Sequence, residues 1–599
     1  MKKKKYIFKK GRRKFLKSTV IAPAASFGGF IFLNEKESFP HDSRLSDKNS
    51  PFKGEKLYNG IQLPEKWPPR NMRPNSYDPM PVHYLSFPPA IIPIDVGRQL
   101  FVDDFLVEKT NLYRTFHQPI KHEANPLLVP KTNAEINNGY CPMAAPFSDG
   151  CFYDPKDQLF KMWYMAGWFD GTALATSQDG INWHRPKFDV VPGTNLILPK
   201  AGVRDGVSLW IDHESTEPSE RYKMYRFERK GKLGGKLKDG AGYILTSADG
   251  IHWNWRGQIG KTGDNSTFFY NPFRGKWVFT VRAFGRAAPP WNPYTWNEKQ
   301  SNGRARSYWE NEDFLEAIGG WKDFKPVFWL GMDRQDKKRS NYQIGREPQL
   351  YKLDAVGYES LMIGLIQVHY GPPNTECQKE GFPKLTELQL AYSRDGFHWD
   401  RTNRETFIGA TLRKNSWQRA YVHSVGGVCN IVGDKLYFYY SAFRGDETNR
   451  NNIQFWNGMY ANASTGLAVL RRDGFASMDA DNQERILLTR KLSYSGKYLF
   501  VNVDGSKGQL FAEICDQFGY PIEGYERENS IPVSVDSAKK MMVWKRHEEL
   551  DAIKDQPIRI KFFAKNLQLY AFWISPKRNG VSHGSNAAGG PGLSGYWNT

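Results

Sequence analysis

The phrase SQDGINW at residues 177 to 183 returns as SADGIHW at 247 and as SRDGFHW at 393. An Asp-Gly step between apolar residues is a strong short-range hairpin signal, because both turn positions tolerate positive φ. A recurring hairpin implies a recurring β-unit. Ser177, Ser247 and Ser393 are 70 and 146 residues apart, and 146 is twice 73, so one copy is missing near 310 to 320, where RSYWENEDFLEAIGGW stands. A degenerate copy, RRDGFASM, begins at 471, 78 residues beyond Ser393.

The runs between the phrases are strand-like. FKMWYMA at 160, YKMYRFE at 222, WVFTVRA at 277, ESLMIGL at 359 and LYFYYSA at 436 are rich in aromatic and β-branched residues, and their starts differ by 62, 55, 82 and 77 residues. Units of this size cannot bury themselves singly, so they must stack radially. The expected fold is all-β: a five-bladed β-propeller followed by a C-terminal β-sandwich. The Trp of each phrase (Trp183, Trp253, Trp399) is expected to be buried between blades, and the phrase to be scaffold rather than chemistry. After residue 480, SGKYLFVNVDGSKGQLFAEICDQFGYPI and IRIKFFAKNLQLYAFWIS alternate apolar and polar residues across turns, which gives the sandwich. The expected boundaries are 1–33 for an export segment, 34–96 for a Pro-rich arm, 97–478 for the propeller, 479–576 for the sandwich and 577–599 for a loose or surface-bound Gly/Ser-rich tail.

Composition removes several function classes. The five cysteines are odd in number and include no C-x-x-C, so neither a disulfide framework nor a zinc ribbon is written here. The net charge of +20 points to nucleic acid until it is located. Residues 1 to 33 hold eight Lys, two Arg and no acid, so half the excess sits there, and the remainder forms no basic stripe. No nucleic-acid partner is expected. The basic start, with Arg12-Arg13 ahead of a weakly apolar run, reads as a twin-arginine export signal, with a membrane anchor or a basic tail as alternatives. The mature protein is then periplasmic or secreted, with membrane contact only through this segment. Residues 51 to 97 hold ten prolines, too many for regular helix or central strand. They read as an extended arm that packs through Trp67, Tyr84, Phe87 and Ile91.

In a propeller the leading strand of each blade lines the central channel. GVRDGVSLWID offers Arg204 and Asp205, TGDNSTFFYN offers Asp264, GREPQLYKLD offers Arg346 and Glu347, and YVHSVGG offers His423. Glycoside hydrolysis needs one carboxylic acid to protonate the leaving oxygen and one carboxylate as base or nucleophile. Asp, Asp and Glu at matching positions of successive units fit that need, although each alone could be a turn residue. The first unit's strand, GYCPMAAPFSDG, has no acid near its start, so either the frame is shifted or Asp103, Asp104 or Glu135 completes the set. Arg204, Arg346, Arg282, Arg304 and Arg306 could tune these carboxylates or grip sulfate or uronate groups. Trp168, Trp210, Trp296 and Trp309 could rim a sugar site.

The S-x-D-G-x-x-W hairpins at five-unit spacing, with RQLFVDDFLVE, DPKDQLFKMWYMAG, SRDGFHWDR and LRRDGFASMDA, resemble the glycosidases of families 32 and 43 over residues 97 to about 575. They resemble more closely a group of exported bacterial proteins that share those phrases. The phrase also resembles the sialidase Asp-box but is one residue shorter, so that activity is not carried over. The glycosidase resemblance implies Asp205 as base, Asp264 as modulator and Glu347 as general acid. It also implies His423 in substrate binding or near a central calcium; with no ligand cluster in the sequence, no cofactor or metal is expected. The expected function is an exported glycoside hydrolase acting on a polysaccharide or oligosaccharide, neutral or anionic. The alternatives are a non-catalytic carbohydrate-binding propeller and a polysaccharide lyase using Tyr421 or His423 beside the arginines.

Overall fold

The computed structural model describes residues 53–74, 76–200, 202–229, 240–285, 303–339, 348–372, 374–450 and 457–599, and over them the chain is nearly all-β. The α-helices among the described residues are three short ones, of four, four and seven residues. Arg12-Arg13, Trp296, Arg346 and Glu347 lie outside the described residues.

Five strands each lead an antiparallel sheet, the first two of which are joined through their leaders into one eight-stranded sheet: β1 (Ala144–Asp154), β2 (Val203–Ile211), β3 (Thr267–Asn271), β4 (Gln349–Glu359) and β5 (Ala420–Ser424). The following strands of each unit pair antiparallel outward from its leader. The leaders touch one another in turn. Ser148 and Asp149 of β1 pair with Val207 and Ser208 of β2, Ser208 Oγ donates to Phe268 O of β3 at 3.3 Å, and Thr267 Oγ1 donates to Leu353 O of β4 at 2.5 Å. Ser424 Oγ of β5 donates to Asp354 of β4 at 2.6 Å, and Val425 bridges back to Ser148 of β1. Small hydroxyl residues suit this place, because strands converging on one axis leave room for little else while their polar groups still need partners. A continuous apolar core runs through all five sheets.

The repeated phrase forms the same turn each time. Asp179, Asp249 and Asp395 each accept two backbone N–H groups through Oδ1, from residues two and three positions ahead, at 2.7 to 2.9 Å. The glycine N–H donates to the phrase's own serine at 2.9 Å in all three copies. Gly180, Gly250 and Gly396 have φ of 74°, 79° and 80°, the left-handed region in which other residues are strained. Each turn also docks on the preceding sheet of the ring. Gly180 O accepts from Tyr439 Oη of the fifth sheet, Gly250 O from Trp163 Nε1 of the first, and Phe397 O from Trp329 Nε1 of the third. The expectation for the tryptophans holds in part: Trp399 is buried, whereas Trp183 and Trp253 are half-buried because they cover the seam from outside. Where the third copy is missing, Phe314 fills the third sheet and Ile318 bridges to Ile259 of the second.

Residues 97–121 and the C-terminal residues are woven in more deeply than their composition suggests. Ile120–Lys121 pairs with Ala463–Arg471 and completes the fifth sheet. Gln99–Leu100, Val107–Thr110 and Tyr113–Phe116 instead join the two sheets built by residues 476 to 575, which share a second core. Residues 97–116 therefore belong with the C-terminal strands rather than with the ring. In the arm, Tyr84 is buried and Trp67 packs on Phe397, but Phe87 and Ile91 face solvent and Ile92 and Ile94 are buried in their place. The final residues are not a loose tail. Ser585–Asn586 pairs with the end of β4, Ala588 N donates to Cys429 O, Tyr153 N donates to Ala588 O, and Tyr596 stacks on Tyr270 at 4.9 Å. Their small side chains permit this: a Cβ on Gly590 would stand 1.7 Å from Ile431 O.

Candidate active site

At their starts four leaders slip register against the next strand of their own sheets: β1 between Ala145 and Gly150, β2 between Arg204 and Val207, β4 between Leu350 and Lys352, and β5 between Ala420 and His423. A bulge re-aims a side chain out of the pleat. Asp205, Tyr351 and Tyr421 sit in these bulges, Tyr421 with φ of 53°, a strained value for so large a residue. The re-aimed side chains converge on one pocket at the end of the ring opposite the C-terminal residues.

All five units contribute to its wall. The carboxylates are Asp205 and Asp264; the cations are Arg229, Arg282, Arg304 and Lys384; Tyr351, Tyr421 and Tyr460 bring hydroxyls. Trp168 forms an aromatic side, stacked between Tyr460 at 4.3 Å and Phe169 at 4.4 Å. A wider groove at Ile120, Asp434 and Arg471 is an open seam between sheets, and its Arg471 is already paired with Asp536.

Arg229, at the end of Tyr222–Arg229, ties the two acids together. Its Nε donates to Asp205 Oδ2 at 2.5 Å and its other edge to Asp264, whose second oxygen pairs with Arg282. Carboxylates so held can accept a proton or stabilise developing positive charge. Across the pocket Lys384 Nζ donates to Tyr351 Oη and to Asn374 Oδ1, each at 3.0 Å, and Tyr351 and Tyr421 hydroxyls lie 2.9 Å apart. Burial alone would push the Tyr351 phenol up, but Lys384 and Arg304 outweigh it and bring it below the usual tyrosine value. At Tyr421 and Tyr460 burial prevails and holds both well above it. Burial also lowers Lys384.

The structure brings together Asp205, Asp264, Arg282 and Arg304 as the sequence suggested. Arg204 is corrected. It is wholly buried behind Asp205 in an ion pair with Asp149, the carboxylate of the first leading strand, and cannot touch substrate. His423 is corrected too: it is fully buried, its ring lies 4.3 Å from Phe147 and 4.4 Å from Tyr421, and neither ring nitrogen has a hydrogen-bond partner among the described residues. Burial, then Lys352 and Lys384, hold it well below the usual histidine value, so it is a neutral ring on the axis. Hard oxygen ligands are what calcium needs, and a histidine facing two lysines and four aromatic rings does not fit it. Among the described residues no group of three or more His, Cys, Asp or Glu is arranged to hold a metal ion.

None of the alternative carboxylates reaches the pocket. Asp103 is locked to buried Arg394, Asp104 pairs with Arg114, and Glu135 caps a helix while pairing with Arg185. Trp168 lines the pocket, but Trp210 and Trp309 are core residues. Arg306 is likewise buried, brought down to about 9 by burial and by Arg282. Sequence reasoning missed Arg229, Tyr351, Lys384 and Asn374. The run of polar residues at 374 to 384 was the only trace of the last two.

No family model and no curated protein matches the chain. Among solved structures it is similar to an N-acetylgalactosamine deacetylase from F. plautii, at 14% identity over 61% of this chain and 96% of that one, with a TM-score of 0.38. An exo-β-1,3-galactanase from Phanerochaete chrysosporium matches at 9% identity over 72% and 96%, with a TM-score of 0.32. A fructofuranosidase from Schwanniomyces occidentalis matches at 10% identity over 76% and 98%, with a TM-score of 0.34.

Proposed function

We propose that the chain is a glycoside hydrolase whose five small sheets are the blades of a β-propeller, backed by a β-sandwich of the remaining two sheets. The observation that carries this reading is the convergence of Asp205 and Asp264, from two neighbouring leading strands, into one aromatic-sided pocket. Asp205, re-aimed by its bulge, acts as base or nucleophile, and Asp264, held by two arginines, keeps the local charge in balance. Because both acids already receive guanidinium protons, the leaving oxygen needs a separate donor. Glu347, two residues ahead of β4, is assigned that role.

Glu347→Gln tests it. Reducing-end release from a natural glycan should fall by roughly 10² to 10⁴, the scale of lost acid catalysis, while an aryl glycoside with a good leaving group should lose much less. Equal losses on both would remove Glu347 as the acid, and no loss on either would leave a carbohydrate-binding propeller. One observation favours a second reading: the lowered Tyr351 beside Lys384, Arg304 and Asn374 suits a lyase that abstracts a proton next to a uronate. A lyase would build absorbance from an unsaturated product without hydrolytic release. Export through Arg12-Arg13 to the periplasm or beyond belongs to the same proposal, and replacing both with Lys should strand folded protein in the cytoplasm; unchanged export would refute it.

A further inference from the structure

Among the described residues the pocket's charges do not balance, and the imbalance is confined to one wall. Four described cations face two described carboxylates. Arg229 and Arg282 are matched to Asp205 and Asp264. Arg304 and Lys384 make no ion pair among the described residues. Arg304 spends one guanidinium donor on Gln349 Oε1 at 2.8 Å and otherwise lies 5.3 Å over the Tyr351 ring. Lys384 is 2% exposed, and the Tyr351 hydroxyl and Asn374 amide oxygen are what its Nζ meets. The faces of Tyr351 and Tyr421, 5.0 and 4.6 Å from that Nζ, give partial relief. A buried cation without an anion costs several kcal/mol, and a fold keeps one where a ligand completes it.

We propose that this wall is an anion subsite, in which Arg304 and Lys384 hold a carboxylate or sulfate oxyanion carried by the substrate sugar, with the Tyr351 hydroxyl as a further donor. The inference rests on the pocket being a carbohydrate site, but not on Asp205 or Glu347 performing the chemistry. The guanidinium offers its remaining donors in a planar fork that suits two oxygens of one anionic group, and Lys384 supplies a point charge from the other side. Neutral sugar hydroxyls can accept a hydrogen bond from either but bring no charge to offset theirs. The subsite therefore selects glycans with uronic acid or sulfate ester groups.

Binding to the full chain tests this without catalysis. D-galacturonate, D-glucuronate and galactose 6-sulfate, with D-galactose and D-glucose as neutral controls, are titrated calorimetrically and by thermal shift. At least one charged probe should bind and raise the melting temperature at concentrations where the neutral sugars do nothing, and the responding probe tells carboxylate from sulfate. Lys384→Met and Arg304→Met should each weaken that probe at least tenfold. Affinity should also fall as pH rises toward the lowered Lys384 titration, and added salt should weaken it. Equal response to charged and neutral probes, or no response to any charged probe, overturns the subsite even if neither variant folds. Charged-probe affinity that survives both substitutions in folded protein overturns it as well. If the hydrolase reading fails while charge-selective binding persists, the subsite stands.

Discussion

Two sets of aspartates sit beside or near glycine in this chain and meet different fates. Asp179, Asp249 and Asp395 receive their donors from the next three residues of their own turns. Asp205 and Asp264 receive theirs from Arg229, which is 24 and 35 residues away, and Asp264 from Arg282 as well. The first set is satisfied before the sheets assemble; the second exists only after they close into a ring. Local satisfaction marks these turns as scaffold, whereas Asp205 and Asp264 meet their partners in the candidate pocket. The three hairpins differ from the pocket in one further respect: each docks through a single hydrogen bond from an aromatic side chain of the preceding sheet, whereas the pocket combines an aromatic side with charged walls.

The largest effect that should separate the regions is at Trp399, buried against Trp329 at 6.3 Å. Trp399→Ala should cost about 3 to 5 kcal/mol in denaturant unfolding, with turnover per folded molecule unchanged. The half-buried Trp183 and Trp253 should cost less, and an equal loss at all three would break the seam account. Next comes Gly180→Ala, where φ is 74° and an added Cβ would lie 2.5 Å from the Tyr439 hydroxyl. It should cost about 1 to 3 kcal/mol, again without loss of turnover.

The smallest effect is an acid sensitivity of the hairpins. At Asp179 burial pushes the carboxyl upward, but the N–H groups of Asn182 and Ile181 outweigh it and bring it down to about 2. Asp249 reaches about 2 in the same way, chiefly through His252. A folded value below the unfolded one of 3.8 means stability that is present above that pH and lost between about 3.8 and 2 as the carboxylates protonate. Both groups are largely solvent-facing, so the loss is modest; Asp179→Asn should flatten the fall in melting temperature over that window, and an unaltered slope would count against the turn as its source.

The sequence carried the hairpins, the unit spacing and the alternating C-terminal strands because each is a local pattern of turn chemistry or side-chain period. It carried Asp205 and Asp264 because acids at the heads of successive leading strands stand in fixed register with the repeat. It could not carry Arg229, Tyr351 or Lys384, whose meaning depends on bulges that reorient single residues and on strands 24 to 70 residues apart meeting at one pocket. Arg204 shows the converse: next to Asp205 in sequence, it is turned by the same bulge toward Asp149 and away from the pocket. The buried tail was illegible for a related reason, since glycine and serine suit both a loose end and a close approach of backbones, and the choice belongs to the β4 edge that Ser585–Asn586 pairs with.

The division between scaffold and site aspartates is tested most directly by measuring turnover and melting temperature on Asp205→Asn and Asp395→Asn side by side, with a glycan that the wild type cleaves. The account predicts that Asp205→Asn loses about 10² to 10⁴ in rate while folded at the assay temperature, and that Asp395→Asn melts earlier yet turns over like wild type below its transition. A folded Asp205→Asn protein with full activity, or an Asp395→Asn protein that stays stable but loses turnover, would contradict it.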